Sequence, residues 1–315
     1  MGIFDRFYYG KAGQRDYTEM DMPKNRVALF FLVLKDHFFD LVKVNLMQIV
    51  FWIPFIVWSL LNLIAIQTID VEALMAQENA EASLLSVMSG YMIMWLIGLI
   101  PCILLTGPSS AGSAYIMRNW ARDQHAFLFS DFKDAFKGNW KQALGVALMT
   151  GIVPFVAYTA VLYYSQMANG NLVMYVPLVL VLFATLMWCL MLPLLYAMMI
   201  GYELSFKNLI KNAFLMAAAS LPKMAVCRVI TLIPIVLLIA GVYLGNMILI
   251  LVMVVYYLFF GFAFSKLVYA SFANGVFDRY LNPHIEGAQV GMGLRPQDAE
   301  DYLDDEDDEE EDDEE

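Results

Sequence analysis

The chain has 315 residues, 60% of them hydrophobic, and a mean hydropathy of +0.61. Soluble domains of this length do not carry such a composition, so the soluble globular classes are excluded and a membrane protein is predicted. The formal net charge of −12 arises at the C-terminal end, because residues 298–315 hold fifteen of the thirty-one acidic residues and the remainder is mildly basic.

The two ends of the chain are polar and frame an apolar middle. Residues 1–24 are turn-rich and are expected to form a cytoplasmic arm. From Asn25 the apolar residues follow a helical period, which predicts an amphipathic helix in the membrane interface. Residues 276–315 close in a block of like charge and are expected to be a disordered cytoplasmic tail. The membrane domain is therefore predicted to cover residues 25–275.

Six apolar runs occupy that domain, and each is long enough to cross a bilayer core of about 30 Å, which takes roughly 20 helical residues. The predicted fold class is an all-α polytopic membrane protein with about six transmembrane helices. Only a turn near Gly245 separates the last two runs, so a re-entrant hairpin is the alternative there. The runs lie near 44–66, 84–106, 143–164, 172–200, 229–250 and 247–270.

The Lys and Arg residues are distributed on one side of these runs. Of the nineteen, seven fall before residue 44, five in 116–142, four in 201–228 and three at the C-terminal end from Lys266 onward, and none falls in loops 67–83 and 165–171 or in the turn at Gly245. Positively charged segments stay in the cytoplasm. Both termini are therefore predicted to be cytoplasmic.

A repeated unit is visible along the membrane domain. Each unit has an amphipathic helix followed by a pair of membrane helices, the first of which carries a central proline. Ser130 and Ser205 stand where the second and third amphipathic helices need an N-cap. Three repeats in parallel orientation are predicted, related by an axis along the membrane normal. The prolines are Pro54, Pro154 and Pro234, and the repeats lie near residues 25–115, 116–204 and 205–275.

One polar segment stands out at membrane depth. Pro108 lacks a backbone N–H and opposes helix continuation, so a broken or kinked helix is expected there. A break would expose backbone amides and serine hydroxyls that can bind a polar or anionic substrate. The alternative is that these small residues let neighbouring helices approach closely. The candidate residues are Gly107, Pro108, Ser109, Ser110, Gly112 and Ser113.

The basic amphipathic segment after this site is a candidate surface for a cytoplasmic partner such as an ATPase. The alternative is an elbow that anchors the next membrane helix, with lysines reaching lipid headgroups. The candidate surface residues are Arg118, Trp120, Phe132, Lys133, Phe136, Lys137 and Trp140.

Several function classes are not expected. Between residues 44 and 250 the six runs hold no charged residue well inside the apolar region, which argues against a proton pump, an antiporter or a voltage sensor. The three histidines and three cysteines lack metal-ligand spacing. Because no Walker loop, dinucleotide fingerprint or nucleophile elbow is present, we expect no enzyme, cofactor, metal site or nucleic-acid partner.

The stretch from Gly107 to Ala143 resembles the hallmark of the YesL-like family of bacterial integral membrane proteins, a domain of unknown function. That hallmark is a Gly-Pro followed by small residues, an aromatic, a basic-Trp pair and a Phe-rich stretch ending near Asn-Trp-Lys-Gln. The matching residues here are Gly107, Pro108, Tyr115, Arg118, Trp120, Phe132, Phe136, Asn139 and Lys141.

This resemblance implies a bacterial cell membrane and a permease-like or accessory role in carbohydrate uptake, with components of an ABC transporter or other membrane proteins as partners. A second hypothesis is a non-transporting scaffold or regulator that binds lipid or protein. A transport role predicts a polar cavity that reaches Ser109, Ser110 and Ser113. A scaffold predicts that neighbouring helices pack on these serines.

Overall fold

The computed structural model describes residues 22–167 and 171–296, so most of the N-terminal arm and the acidic run lie outside the described residues. Within these ranges, six helices are long and apolar enough to cross a membrane, which confirms the membrane class and the six apolar helices. The α-helices are α1 (Arg26–Asp36), α2 (Phe38–Gln67), α3 (Val71–Met75), α4 (Ala80–Trp120), α5 (Leu128–Met167), α6 (Tyr175–Gly201), α7 (Phe206–Ala219), α8 (Leu221–Tyr243), α9 (Met247–Tyr256) and α10 (Phe262–Tyr280). A π-helix, Tyr257–Gly261, joins α9 to α10, and 3-10 turns cover Leu172–Met174 and Asn282–His284.

Helices α4 and α5 form the central hairpin of the bundle. They have 41 and 40 residues, and at 1.5 Å per residue each is about 60 Å long, twice the thickness of a bilayer core. They pack against each other along their length and are joined by residues 121–127. The end of the bundle at this connection is termed the basic end below.

The last two apolar runs are separate helices of spanning length. Helix α8 ends at Tyr243, and the following spanning segment begins at Met247. Gly245 takes a φ of +62° in the turn, a conformation that glycine adopts without steric cost. The side chain of Asn246 then caps α9 by accepting a hydrogen bond from the amide of Leu249. The predicted end of the fifth run at 250 is therefore wrong, because the chain has already turned.

The three amphipathic segments do not have one common form. Helices α1 and α7 are separate short helices, and Ser205 caps α7 as predicted. The segment after residue 128 is continuous with its membrane helix, so the separate second interfacial helix is wrong. Ser130 is not its N-cap, since the helix starts at Leu128 and the Asp131 carboxylate accepts the amide of Phe127.

The buried core lies mainly toward the basic end. One cluster gathers around the second half of α6, with α7 and α10, and another joins α1 and α2 to the end of α4. Elsewhere large apolar side chains are exposed, such as Leu180 and Ile248, and α9 has no buried residue. This exposed apolar surface is what a lipid-facing bundle requires.

Candidate functional site

The polar segment predicted to break its helix lies in the middle of α4, and the helix is continuous through it. The predicted break at Gly107–Ser113 is therefore wrong. Every residue from Thr106 to Ala114 is buried. A proline inside a membrane helix is tolerated when neighbouring helices hold the chain in place, and here α5 lies directly against this segment.

The contact between α4 and α5 depends on small residues. A Cβ atom added to Gly107 would lie 2.6 Å from the carbonyl oxygen of Ala143 and 2.8 Å from the Cβ of Ala147. A Cβ on Gly112 would lie 2.8 Å from the carbonyl oxygen of Phe132. The two backbones thus approach as closely as small residues permit, which is the packing alternative for this segment.

Three hydroxyls of the segment, those of Thr106, Ser109 and Ser113, bond to carbonyls of their own helix. Ser109 Oγ donates to the carbonyl of Thr106 at 2.9 Å, and Ser113 Oγ donates to the carbonyl of Ser109 at 3.0 Å. The amide of Gln48, on α2, donates to Ser113 Oγ. Within residues 22–167 and 171–296, Gln48 Oε1 is buried without a hydrogen-bond partner. Ser109 and Ser113 therefore present no free hydroxyl to a substrate.

Ser110 leads from this segment into a second polar group. Its hydroxyl interacts with that of Tyr196, on α6. The Lys266 ammonium, on α10, lies 4.6 Å from the centre of the Tyr196 ring and 6.0 Å from that of Tyr269, a cation–π arrangement. One continuous set of contacts thus connects α4 to α10.

Arg228, on α8, extends this group to the middle of α6. Pro193 has no N–H to offer the carbonyl of Cys189, four residues earlier, so that carbonyl lacks its helical partner. Arg228 supplies the missing donors through Nε, at 2.9 Å, and Nη2. Its Nη1 donates to the hydroxyl of Tyr269 at 2.8 Å. Ser110, Tyr196, Arg228, Lys266 and Tyr269 are termed the cationic cluster.

Arg228 corrects the expectation that the runs between residues 44 and 250 hold no charged residue well inside the apolar region, and Lys266 lies beyond the residues that this expectation covers. Arg228 is inside α8 because that helix starts at Leu221, eight residues before the predicted start at 229. Lys266 is inside the last apolar run, where its side chain turns inward onto Tyr196. A sequence signal existed for both: a proline in an apolar helix leaves a carbonyl that needs a donor, and a lone lysine in an apolar run needs a partner.

A buried amide on α2 supports the π-helix near the cationic cluster. Asn45 Nδ2 donates to the carbonyls of Tyr257 and Leu258 at 3.0 and 2.8 Å. Asn45 Oδ1 accepts from the amides of Phe262 and Ala263 at 2.9 and 3.1 Å. The wide π-turn displaces these groups from regular helical pairing, and one side chain satisfies all four.

The residues predicted as a partner surface fall into two groups. Trp120 and Phe132 are buried, Trp120 stacked on His37 with ring centres 4.4 Å apart, so neither is available to a partner. Phe136 is half-buried. Phe132 is buried because it lies on the side of α5 that packs against α4. Of the predicted residues, Lys133, Lys137 and Trp140 are exposed. Two further exposed residues that were not predicted, Phe129 and Lys141, lie beside them, and these five are termed the basic–aromatic face of α5.

Arg118 lies apart from that face, at the basic end of the core. Its guanidinium lies against Gly201, where an added Cβ atom would be 3.0 Å from Nε. Arg122 and Tyr202 are its neighbours. In the described ranges, Nε of Arg118 and Nε of Arg122 are buried without hydrogen-bond partners. Burial raises the pKa of Tyr202, while both arginines lower it in part. The Tyr202 hydroxyl donates to Asn282 Oδ1 at 2.6 Å.

A cavity of about 300 Å³ opens beside Gly201. Gln142 spans part of it, with Nε2 donating to the carbonyl of Leu204 at 2.7 Å. Over residues 22–167 and 171–296, the structure contains no group of three His, Cys, Asp or Glu side chains that could hold a metal ion. The cavity is lined by Asn139, Gln142, Met199, Ile200, Gly201, Tyr202, Glu203 and Leu204.

In a comparison with known proteins, one part of the chain matches a family model. A family model described as "Protein of unknown function, DUF624" matches residues 84–161. The matched range lies wholly within the α4–α5 hairpin and includes the packed segment Gly107–Ser113 together with the basic–aromatic face of α5. Comparison with curated proteins and with solved structures gives no significant match.

Proposed function

We propose that the protein is an accessory integral membrane protein that binds a protein partner at its basic end and conducts no substrate through Gly107–Ser113. The observation that carries this proposal is the closure of that segment. The hydroxyls of Ser109 and Ser113 bond to the carbonyls of their own helix, and α5 fills the space beside Gly107. A transport path through the serines requires the polar cavity that a scaffold does not need.

The basic–aromatic face of α5 is the surface that we assign to the partner. Phe129 is 73% exposed and Trp140 is 45% exposed. Lys141 lies 5.6 Å from the Trp140 ring, so cationic and aromatic groups alternate along one side. Exposed aromatic residues are enriched at protein interfaces, and the neighbouring lysines would complement an acidic patch on the partner. The interfacial elbow remains the competing role for this face.

The proposed setting follows the resemblance to YesL-like proteins. We place the protein in a bacterial cell membrane, with both termini and the basic end in the cytoplasm, as the distribution of lysine and arginine predicts. The partner that we propose is a component of a carbohydrate-uptake system, such as the ATPase of an ABC transporter. Three parallel pairs of membrane helices belong to this proposal too, without a separate interfacial helix in the second unit.

Co-purification tests the partner surface. The full-length protein is isolated from its native membrane in mild detergent, and the proteins that accompany it are identified. We expect an ATPase or a solute-binding protein to be recovered with the native chain and lost with Lys133→Glu combined with Lys137→Glu. The matched control is Lys207→Glu with Lys211→Glu, the same charge change on exposed positions of α7.

Two results would contradict the proposal. Recovery of lipid without a protein partner would assign the α5 face to the membrane interface. Equal loss of the partner in both double variants would mean that the charge of the basic end matters and the α5 face does not.

A further inference from the structure

Two positive charges of the cationic cluster lie inside the bundle without an acidic partner. Across residues 22–167 and 171–296, Lys266 forms no hydrogen bond or ion pair, and its contacts are with the rings of Tyr196 and Tyr269. Arg228 bonds to neutral acceptors, the Cys189 carbonyl and the Tyr269 hydroxyl. Charged side chains in membrane helices almost always pair with one another or with backbone carbonyls, or face a polar space. The Cys189 carbonyl serves Arg228 in this way, which leaves Lys266 as the charge that an anion would complement.

The donor groups that the contacts of the cationic cluster link to Lys266 come from four helices, its own included. The Lys266 ammonium has three N–H groups, none of them bonded within the described ranges. The hydroxyls of Ser110 and Tyr196 come from α4 and α6, and the Arg228 charge comes from α8. A phosphate group carries several acceptor oxygens and accepts from an ammonium and from hydroxyls at the same time.

The position of the cationic cluster favours a phosphate that belongs to a lipid. Arg228 is seven residues from the start of α8, about 10 Å along the helix from the basic end. Val226 and Val229, on either side of it, are exposed on the apolar surface of α8. Lys266 is itself partly exposed. Basic pockets between membrane helices on the cytoplasmic side bind anionic headgroups.

We propose that Lys266, with Arg228 beside it, binds the phosphate group of an anionic membrane lipid between α6, α8 and α10. Lys266 makes the direct contact, because Arg228 is held by the Cys189 carbonyl. Arg228 contributes its charge, and the hydroxyls of Ser110 and Tyr196 supply further donors. This site is independent of the partner surface on α5.

Native mass spectrometry of the purified full-length protein tests the site. The protein is mixed with phosphatidylglycerol, with phosphatidylcholine, or with inorganic phosphate alone, and the bound fraction is measured. We expect the native chain to retain phosphatidylglycerol over phosphatidylcholine. Lys266→Met should weaken retention at least about tenfold, the effect of losing one charged hydrogen bond. Lys223→Met, which removes an exposed charge from α8, should not.

Two other outcomes would contradict the proposal in different ways. Binding of inorganic phosphate without preference for phosphatidylglycerol would retain the anion site but overturn the lipid source. Equal retention of phosphatidylglycerol by the native chain and by Lys266→Met would overturn the site.

A second measurement needs no variant, in case Lys266→Met does not fold. The native protein is treated with an amine-modifying reagent, with and without phosphatidylglycerol, and the modified lysines are identified. We expect the lipid to protect Lys266 several-fold relative to Lys223. Equal modification of Lys266 with and without lipid would overturn the proposal.

Discussion

Gly107 lies where α4 and α5 are closest, so adding one methyl group there tests the packing of the hairpin. In Gly107→Ala the new Cβ would lie 2.6 Å from the Ala143 carbonyl oxygen, where ordinary contact begins at 3.4 Å. The helices must separate by about 0.8 Å or the side chains must distort, and overpacking of this kind costs about 1–3 kcal/mol.

Gly138→Ala is the matched control for this clash. Gly138 is exposed on α5, and a Cβ there would meet nothing within 4 Å. Both variants gain about 1 kcal/mol of helix propensity, so the difference between them isolates the clash.

Thermal unfolding in one detergent, followed by tryptophan fluorescence, measures that difference. At about 2 °C per kcal/mol for a chain of this size, Gly107→Ala should unfold about 2–6 °C below Gly138→Ala. Equal melting temperatures for the two variants would refute the close approach of α4 and α5.

Three further predictions concern the polar groups of the bundle. Asn45→Leu leaves four backbone groups unpaired, and at about 1–3 kcal/mol for each unpaired group the loss should be at least about 4 kcal/mol. Asn62→Leu, which breaks only a bond within its own helix, should lower the melting temperature far less. Burial raises the pKa of the Tyr202 hydroxyl above its value in the unfolded chain. The neutral hydroxyl therefore makes its full contribution to the free energy of unfolding below about pH 10, and that contribution is lost as the pH rises through the raised pKa. Tyr202→Phe should make the decline in melting temperature between pH 9 and 11 less steep, whereas Tyr243→Phe, at an exposed position, should not. Arg228→Met removes three hydrogen bonds from a charged donor and, at about 1.5–3 kcal/mol for each, should cost at least about 4.5 kcal/mol. An unchanged melting temperature would contradict its role on α6.

Hydropathy identified the membrane helices because a spanning helix needs a long apolar run, and a run of that length leaves little ambiguity. Their ends were less accessible to sequence reasoning. Helix α4 continues to Trp120, well past the predicted end at 106, because protein surrounds its polar half in place of lipid. Hydropathy measures the preference of a segment for lipid and does not report whether neighbouring helices shield its polar residues.

The candidate site shows the same limit. The small residues around Gly107 indicated both a break and a packing surface, and only the position of α5 distinguishes the two. The pairing of Arg228 with the Cys189 carbonyl depends on how α8 lies against α6, which no local pattern encodes. By contrast, the caps at Ser205 and Asn246 are local in sequence, and Ser205 was predicted correctly.

The closure of Gly107–Ser113 is tested most directly by the access of water to its serines. With the native cysteines Cys102, Cys189 and Cys227 replaced by alanine, single cysteines are introduced by Ser109→Cys and Ser113→Cys. A charged, water-soluble thiol reagent is then added to opened membranes. The exposed control positions are Ser165→Cys and Ser205→Cys.

We expect the two control cysteines to be modified and the cysteines at 109 and 113 to remain unmodified, because both positions are at most 1% exposed. Modification of 109 and 113 at the rate of the controls would show a water-filled path through the segment. That result would contradict the proposed accessory role and favour a permease.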